Sequence, residues 1–194
     1  MPGRSSLRGC IPFFPVLAAL FALTPASPAM ARGLDVHYVP TPQAVVDKML
    51  EIAETKPGDR LIDLGSGDGR IPITAAKKFG VEAVGIELDP ARITEAKENA
   101  LREKVTDKVT FQKQDLFETD LSKADVITLY LLNSINMKLR PKLMQLKPGT
   151  RIVSHSFGMG DREPDQSVQV EGHTIHMWVV REGDNRRASA EPPN

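Results

Sequence analysis

Asp63, Gly65, Gly67 and Gly69 stand at alternate positions in the stretch RLIDLGSGDGRI, residues 60–71. An apolar run ends at the acid, glycines take over, and an apolar stretch with helical spacing follows. Backbone N–H groups in such a turn, with the positive end of the helix that it opens, hold an anionic or strongly polar group. Residues without bulky side chains let that group lie against the main chain. Glu87 follows Gly67 by 20 residues, the separation at which a carboxylate meets the paired hydroxyls of a ribose. The same carboxylate repels a 2′-phosphate. The pattern reads as a nucleotide-type site, against the plainer alternative of a structural turn and a solvated strand-end charge.

The elements around these residues alternate. A helix is expected over 43–54, where Val45, Val46, Met49, Leu50 and Ala53 recur at helical spacing, with Thr41-Pro42 as its cap and first turn. Strands are expected at 60–64, 83–88, 109–112, 125–131 and 151–156. Helices are expected at 69–79, from Asp89-Pro90 to 102, and at 136–146. Strands that alternate with helices form a parallel sheet covered on both faces, and the apolar strands fit burial on both sides. After Phe157 a Gly- and Asp-rich loop leads to two segments, 167–171 and 174–181, which read as an antiparallel hairpin around Gly172-His173. The fold class is α/β, a Rossmann-like doubly wound sheet, mostly parallel, with seven strands and a C-terminal antiparallel hairpin.

A dinucleotide site requires G-x-G-x-x-G/A, and the third glycine position falls on Arg70. Asp63-x-Gly65-x-Gly67-x-Gly69 instead resembles motif I of class I S-adenosylmethionine-dependent methyltransferases. That cofactor presents an amino acid, a sulfonium and an adenosine, so an acid near its ammonium has a partner. The resemblance extends to Glu87 at the end of strand two, to Asp115 in QKQDLF after strand three, and to Lys147-Pro148-Gly149 before strand five. It covers about residues 38–181 and implies S-adenosyl-L-methionine as cofactor. It also implies that Asp63, Gly65, Ser66, Gly67, Asp68 and Gly69 form the cofactor loop. Glu87 and Leu88 would face the ribose, and Asp115 and Leu116 the adenine.

VPTPQAVVDKML, GIELDP, LYLLNSIN, LKPGTRIVSHSF and HTIHMWVV together are similar to small protein-lysine methyltransferases. These are related to the mitochondrial enzymes that modify the ATP synthase c-subunit and the adenine nucleotide translocase. The resemblance implies an ε-amino acceptor on a protein, with a membrane protein as one option. A small-molecule acceptor and a non-catalytic cofactor-binding module are the alternatives. In such domains the lead-in segment folds over the cofactor, which makes Tyr38 and Thr41 candidates at its carboxylate end. Strand four ends beside the reacting methyl, so Tyr130 or Asn133 is expected to orient the incoming nitrogen. LYLLN departs from the [D/N]-P-P-[Y/F] of enzymes that methylate bases or glutamine. Methyl transfer from a sulfonium is an in-line displacement in which positioning supplies up to roughly 7–11 kcal/mol. Burial lowers the pKa of a lysine acceptor, and no dedicated base is demanded.

Lysine plus arginine and aspartate plus glutamate number 25 each. Nothing in that balance points to nucleic acid or to an acidic membrane surface. Residues 1–31 differ from the rest: Arg4 and Arg8, no acid, an apolar run from Ile11 to Leu23, then Ala29-Met30-Ala31. That layout is expected of a signal peptide or signal-anchor, ahead of a methyltransferase domain at 32–181 and a disordered tail at 182–194. Cys10, the only cysteine, lies in the leader, so a processed chain would have no disulfide, thiolate zinc site or cysteine nucleophile. Export sits uneasily with a cofactor made in the cytosol. The resolutions are a membrane anchor or organellar targeting segment, a translation start at Met30 with a cytoplasmic product, or an exported domain that no longer catalyses. His155, His173 and His176 are not expected to share a metal, since residues three apart on a strand face opposite ways. His155 is expected to be packed or hydrogen-bonded.

Overall fold

The computed structural model describes residues 39–184. Four helices and seven strands follow in the order α1 (Gln43–Ile52), β1 (Arg60–Leu64), α2 (Arg70–Phe79), β2 (Glu82–Glu87), α3 (Pro90–Arg102), β3 (Val109–Lys113), β4 (Val126–Leu129), α4 (Asn133–Leu143), β5 (Arg151–His155), β6 (Gln166–Val170) and β7 (His173–Val179). The expected leader and nearly all of the expected tail lie outside the described residues, as do Tyr38 and Met30.

One seven-stranded sheet runs β3-β2-β1-β4-β5-β7-β6. The first five strands in the chain are parallel, and β7 pairs antiparallel with both β5 and β6. The order reverses between β1 and β4, the kind of switch point where open α/β sheets leave a crevice beyond the strand ends. Strand residues alternate between two buried clusters, as the period of two requires. Leu61, Val126 and Val153 pack with α1, α2 and α3 on one face, while Ile62, Ile127 and Ile152 pack with Leu139 and Leu143 of α4 on the other. Asp63 shares the face of Leu61 and stands next to the last residue of β1.

Local chemistry sets the boundaries. Asp89 caps α3 by accepting from Ala91 N at 2.8 Å, with Pro90 in the first turn. Gly69 precedes α2 with φ +79°, and a Cβ there would sit 2.5 Å from Phe111 Cζ, so only glycine fits both the backbone and the space. The hairpin turn is Glu171-Gly172, with φ +50° and +81°, the two-residue turn of positive φ that matches strand twist. His173 therefore begins β7 and is not part of the turn.

Three expectations shift. Thr41 does not cap α1: Pro42 occupies that position with no side-chain cap, and its carbonyl accepts from Val45 and Val46 N at 3.0 Å. Strand β4 is shorter than its apolar run. Helix α4 lies one turn earlier than expected because Leu132 O accepts from Ile135 and Asn136 N at 2.9 and 3.0 Å. Buried Asn136 pins that start by donating to Ser154 Oγ, Phe157 O and Gly158 O at 3.2–3.3 Å.

Candidate functional site

A cleft of about 710 Å³ opens beyond the C-terminal ends of β1, β2 and β4, within the size range of small-ligand sites. Its floor is the glycine loop. Gly65 N and Ser66 N both donate to Ile86 O, at 2.9 and 3.0 Å, which ties the loop to β2. Glu87 completes the tie, with Oε2 accepting from Gly67 N at 3.0 Å and Oε1 from Leu88 N and Asp89 N at 2.8 and 3.0 Å. A carboxylate has about four lone-pair sites, so the three amides fix its orientation and leave capacity for a hydroxyl. Asp115 Oδ1 accepts from Phe117 N at 2.8 Å, which leaves Oδ2 for an exocyclic amine. Leu88 and Leu116 line the same end of the cleft and supply apolar surface for a flat ring.

Asp63 is the most constrained group. It is buried, and Oδ1 accepts from Thr128 Oγ1 at 2.7 Å, its register neighbour on β4. Oδ2 is buried with no hydrogen-bond partner. Burial pushes the Asp63 carboxyl up to about 7; the Thr128 hydrogen bond pulls against this, and the charges of Glu87 and Asp68 add to the rise. Ser66 Oγ is likewise buried and unpartnered in the cleft wall. Orphaned buried polar atoms require a partner, and for a carboxylate oxygen an ammonium is the fitting one. The charged lining has one sign in excess: Asp63, Asp68, Glu87, Asp89 and Asp115 against Arg70 and Arg92. The residues present therefore fit a cationic amino acid joined to an adenosine. In its bound state that cofactor supplies a methyl group already activated on a sulfonium.

The cleft also carries apolar side chains. Val39, Pro40, Leu131, Leu132, Ile135 and Phe157 line the cleft along with Tyr130. The Tyr130 ring stacks on His155 at 3.9 Å between centroids and faces Phe157 at 6.1 Å. Ser156 has φ +64°, and Phe157 N donates to His155 O at 2.8 Å, a tight reversal that returns Phe157 to the cleft. Such a backbone costs on the order of 1–3 kcal/mol and clusters at functional sites.

Of the residues singled out in the sequence, Thr41, Asp63, Gly65, Ser66, Asp68, Glu87, Leu88, Asp115, Leu116 and Tyr130 line this one cleft. Gly67 and Gly69, both at positive φ, belong to the same loop but not to the lining. Asn133 does not join them: it is exposed in the first turn of α4 and outside the lining, because that helix begins earlier than expected. Sequence reasoning missed Arg70, which grips both Asp68 oxygens and donates from Nη1 to Thr41 O at 2.8 Å, latching the lead-in segment onto the loop. It also missed Thr128 and the pairing of His155 with His173 at 2.9 Å. His176 instead meets Ser167 Oγ at 2.9 Å, and among the described residues no group of three or more His, Cys, Asp or Glu is arranged for a metal.

The family model of the ANTKMT methyltransferase domain matches residues 63–166. A protein-lysine N-methyltransferase from Saccharolobus islandicus is 47% identical over 76% of this chain and 95% of its own. A lysine N-methyltransferase for the ATP synthase c-subunit, from Xenopus laevis, is 32% identical over 89% of this chain and 76% of its own. Among solved structures, an RNA methyltransferase from Salinibacter ruber in complex with S-adenosyl-L-homocysteine superposes with a TM-score of 0.73 at 51% identity, covering 80% of this chain and 97% of that one. With matches of this extent, the chain belongs to the ANTKMT methyltransferase-domain family and is an S-adenosylmethionine-dependent methyltransferase.

Proposed function

We propose that the methyl acceptor is the ε-amino group of a lysine on a protein. The observation that carries this reading is the set of apolar side chains, Val39, Pro40, Leu132, Ile135 and Phe157, that line the cleft together with Tyr130. A lysine presents a straight alkyl stem with a charge at its tip. Apolar walls bind the stem and, by removing water, favour the neutral amine that has a lone pair to donate. The Tyr130 ring, held flat by His155 beneath it, limits the approach of the nitrogen to one direction. The names of the Saccharolobus and Xenopus relatives support the same acceptor class. The chain's own residues do the rest by positioning. Asp63 is set to hold the ammonium, Glu87 the ribose and Asp115 the adenine, while Thr41 closes the cleft from the lead-in segment.

The name of the Salinibacter relative supports a second reading, an RNA acceptor. Against it, the cleft lining is acidic in balance, whereas RNA binding draws on basic side chains that neutralise phosphates. Transfer from methyl-labelled S-adenosylmethionine into a whole-cell extract tests the choice. Label that is lost on protease treatment and survives ribonuclease supports the protein acceptor; the reverse pattern overturns it. A membrane protein as target, and attachment of the enzyme itself through residues 1–31, form the finer part of the proposal. Label confined to the soluble fraction would count against both.

A further inference from the structure

His155, wholly buried at the end of β5, has both ring nitrogens engaged in one continuous chain. Nδ1 lies 3.2 Å from Thr41 Oγ1, and Nε2 lies 2.9 Å from His173 Nδ1. Thr41 lines the cleft and His173, at the start of β7, is half-buried. Three side chains from three distant parts of the sequence thus form an unbroken hydrogen-bonded path from the cleft wall to the solvent side of the hairpin. It passes directly beneath Tyr130, whose ring stacks on His155.

A hydroxyl both donates and accepts, and a neutral imidazole has one nitrogen of each kind. The path therefore has two polarities. In one, Thr41 donates to His155 Nδ1, and His155 Nε2–H donates to His173 Nδ1. In the other, both bonds run the opposite way. Conversion of one into the other moves a proton between cleft and solvent with no displacement of a heavy atom. Burial, reinforced by the neighbouring His173, lowers the His155 pKa to about 4, so the ring stays neutral near pH 7 and keeps both arrangements accessible. The groups that face it are His173 from β7, Tyr130 from the end of β4, and Thr41, whose carbonyl is held by the Arg70 guanidinium of α2. Among the described residues no carboxylate contacts the ring to trap a proton on it.

A lysine arrives near pH 7 as an ammonium, and its nitrogen attacks only after a proton has left. An acceptor seated in the apolar mouth shuts out the water that would take that proton. We propose that Thr41, His155 and His173 carry it out. The ε-ammonium gives a proton to Thr41 Oγ1, whose own hydroxyl proton passes to His155 Nδ1. The Nε2 proton of His155 passes to His173 Nδ1, and the Nε2 proton of His173 passes to water. The freed lone pair forms the new N–C bond while the C–S bond breaks, with its electron pair left on sulfur. One proton reaches solvent per methyl transferred. With products gone and the cleft open to water, the chain runs back and resets. His155 and His173 touch no substrate and act through Thr41, as positioning residues for the proton.

This inference rests on the lysine reading, so wild-type transfer to a protein lysine is measured first; its absence removes the acceptor reading and this one with it. The test then compares His173→Phe, His173→Gln and Thr41→Val in single-turnover transfer across pH 6 to 10, with S-adenosylhomocysteine affinity by calorimetry as a check on the site. His173→Phe removes the exit, and His173→Gln keeps a hydrogen-bond partner for His155 that cannot pass a proton on. Both His173 variants are expected to bind S-adenosylhomocysteine as wild type does and to transfer at least about tenfold more slowly at neutral pH. The deficit should shrink as pH rises and the acceptor enters already neutral, and added imidazole should restore part of it. Thr41→Val should show the same pH-dependent deficit. A His173→Gln rate near that of wild type, or a deficit of equal size at every pH with no imidazole rescue, would overturn the relay.

Discussion

Replacement of Asp63 by asparagine separates two opposed pH effects in the empty protein. In an unfolded chain this carboxyl has its ordinary pKa of 3.8, and in the folded chain it is raised to about 7. Between those values the folded state holds a proton that the unfolded state lacks. The stability due to Asp63 is therefore fully present below about pH 4 and is lost as pH rises through 7. At 1.36 kcal/mol per unit the span is about 4 kcal/mol. His155 acts in the opposite sense. Its folded pKa is lowered from 6.5 to about 4, so its contribution is present above 6.5 and is lost as pH falls, over about 3 kcal/mol. The two slopes largely cancel between pH 4 and 6.5. Urea unfolding of Asp63→Asn should uncover the His155 slope, with stability climbing by about 3 kcal/mol from pH 4 to 6.5. Ligand binding moves the other way. An ammonium at Asp63 Oδ2 requires the ionised carboxylate, so S-adenosylhomocysteine should bind wild type about a hundredfold more weakly at pH 5 than at pH 8. At pH 8 the asparagine variant should lose about 1.5–3 kcal/mol of affinity, the worth of a hydrogen bond to a charged group. Calorimetry that finds wild-type affinity flat from pH 5 to 8, and equal in the variant, would refute the placement of the ammonium on Asp63.

Thr128→Val removes the hydrogen bond that lowers the Asp63 pKa, so the pH midpoint for S-adenosylhomocysteine binding should move upward; an unmoved midpoint would mean that Thr128 has no hold on the carboxylate. Glu87→Ala deletes the acceptor of three loop amides as well as the ribose partner, and should weaken S-adenosylhomocysteine by about 1–3 kcal/mol in the same assay. Gly69→Ala forces a Cβ to within 2.5 Å of Phe111 at a φ of +79°, and its denaturant midpoint should report a loss of about 1–3 kcal/mol.

What could be read from the chain was what is local. Strand β1 has the expected bounds because its apolar run is closed by turn chemistry on one side and glycines on the other. The loop, Glu87 and Asp115 were legible because each sits at a strand end within one βα unit of the next. The rest depends on distant segments. Thr41 and His155 are 114 positions apart, and Asp63 and Thr128 are 65 apart; no periodicity within either segment pairs them. Arg70 was read only as a missing glycine, since nothing nearby announced that its guanidinium would cross to Thr41. The start of α4 was expected one helical turn too late, because it is set by Asn136 reaching the loop after β5.

A crystal structure with S-adenosylhomocysteine tests the central claim most directly. The ligand ammonium is expected within hydrogen-bond distance of Asp63 Oδ2, a ribose hydroxyl on Glu87, the adenine beside Leu88 and Leu116 with its amine toward Asp115, and the sulfur turned toward Tyr130. A ligand that leaves Asp63 Oδ2 unpartnered, or whose sulfur points away from Tyr130 and the apolar mouth, would contradict it.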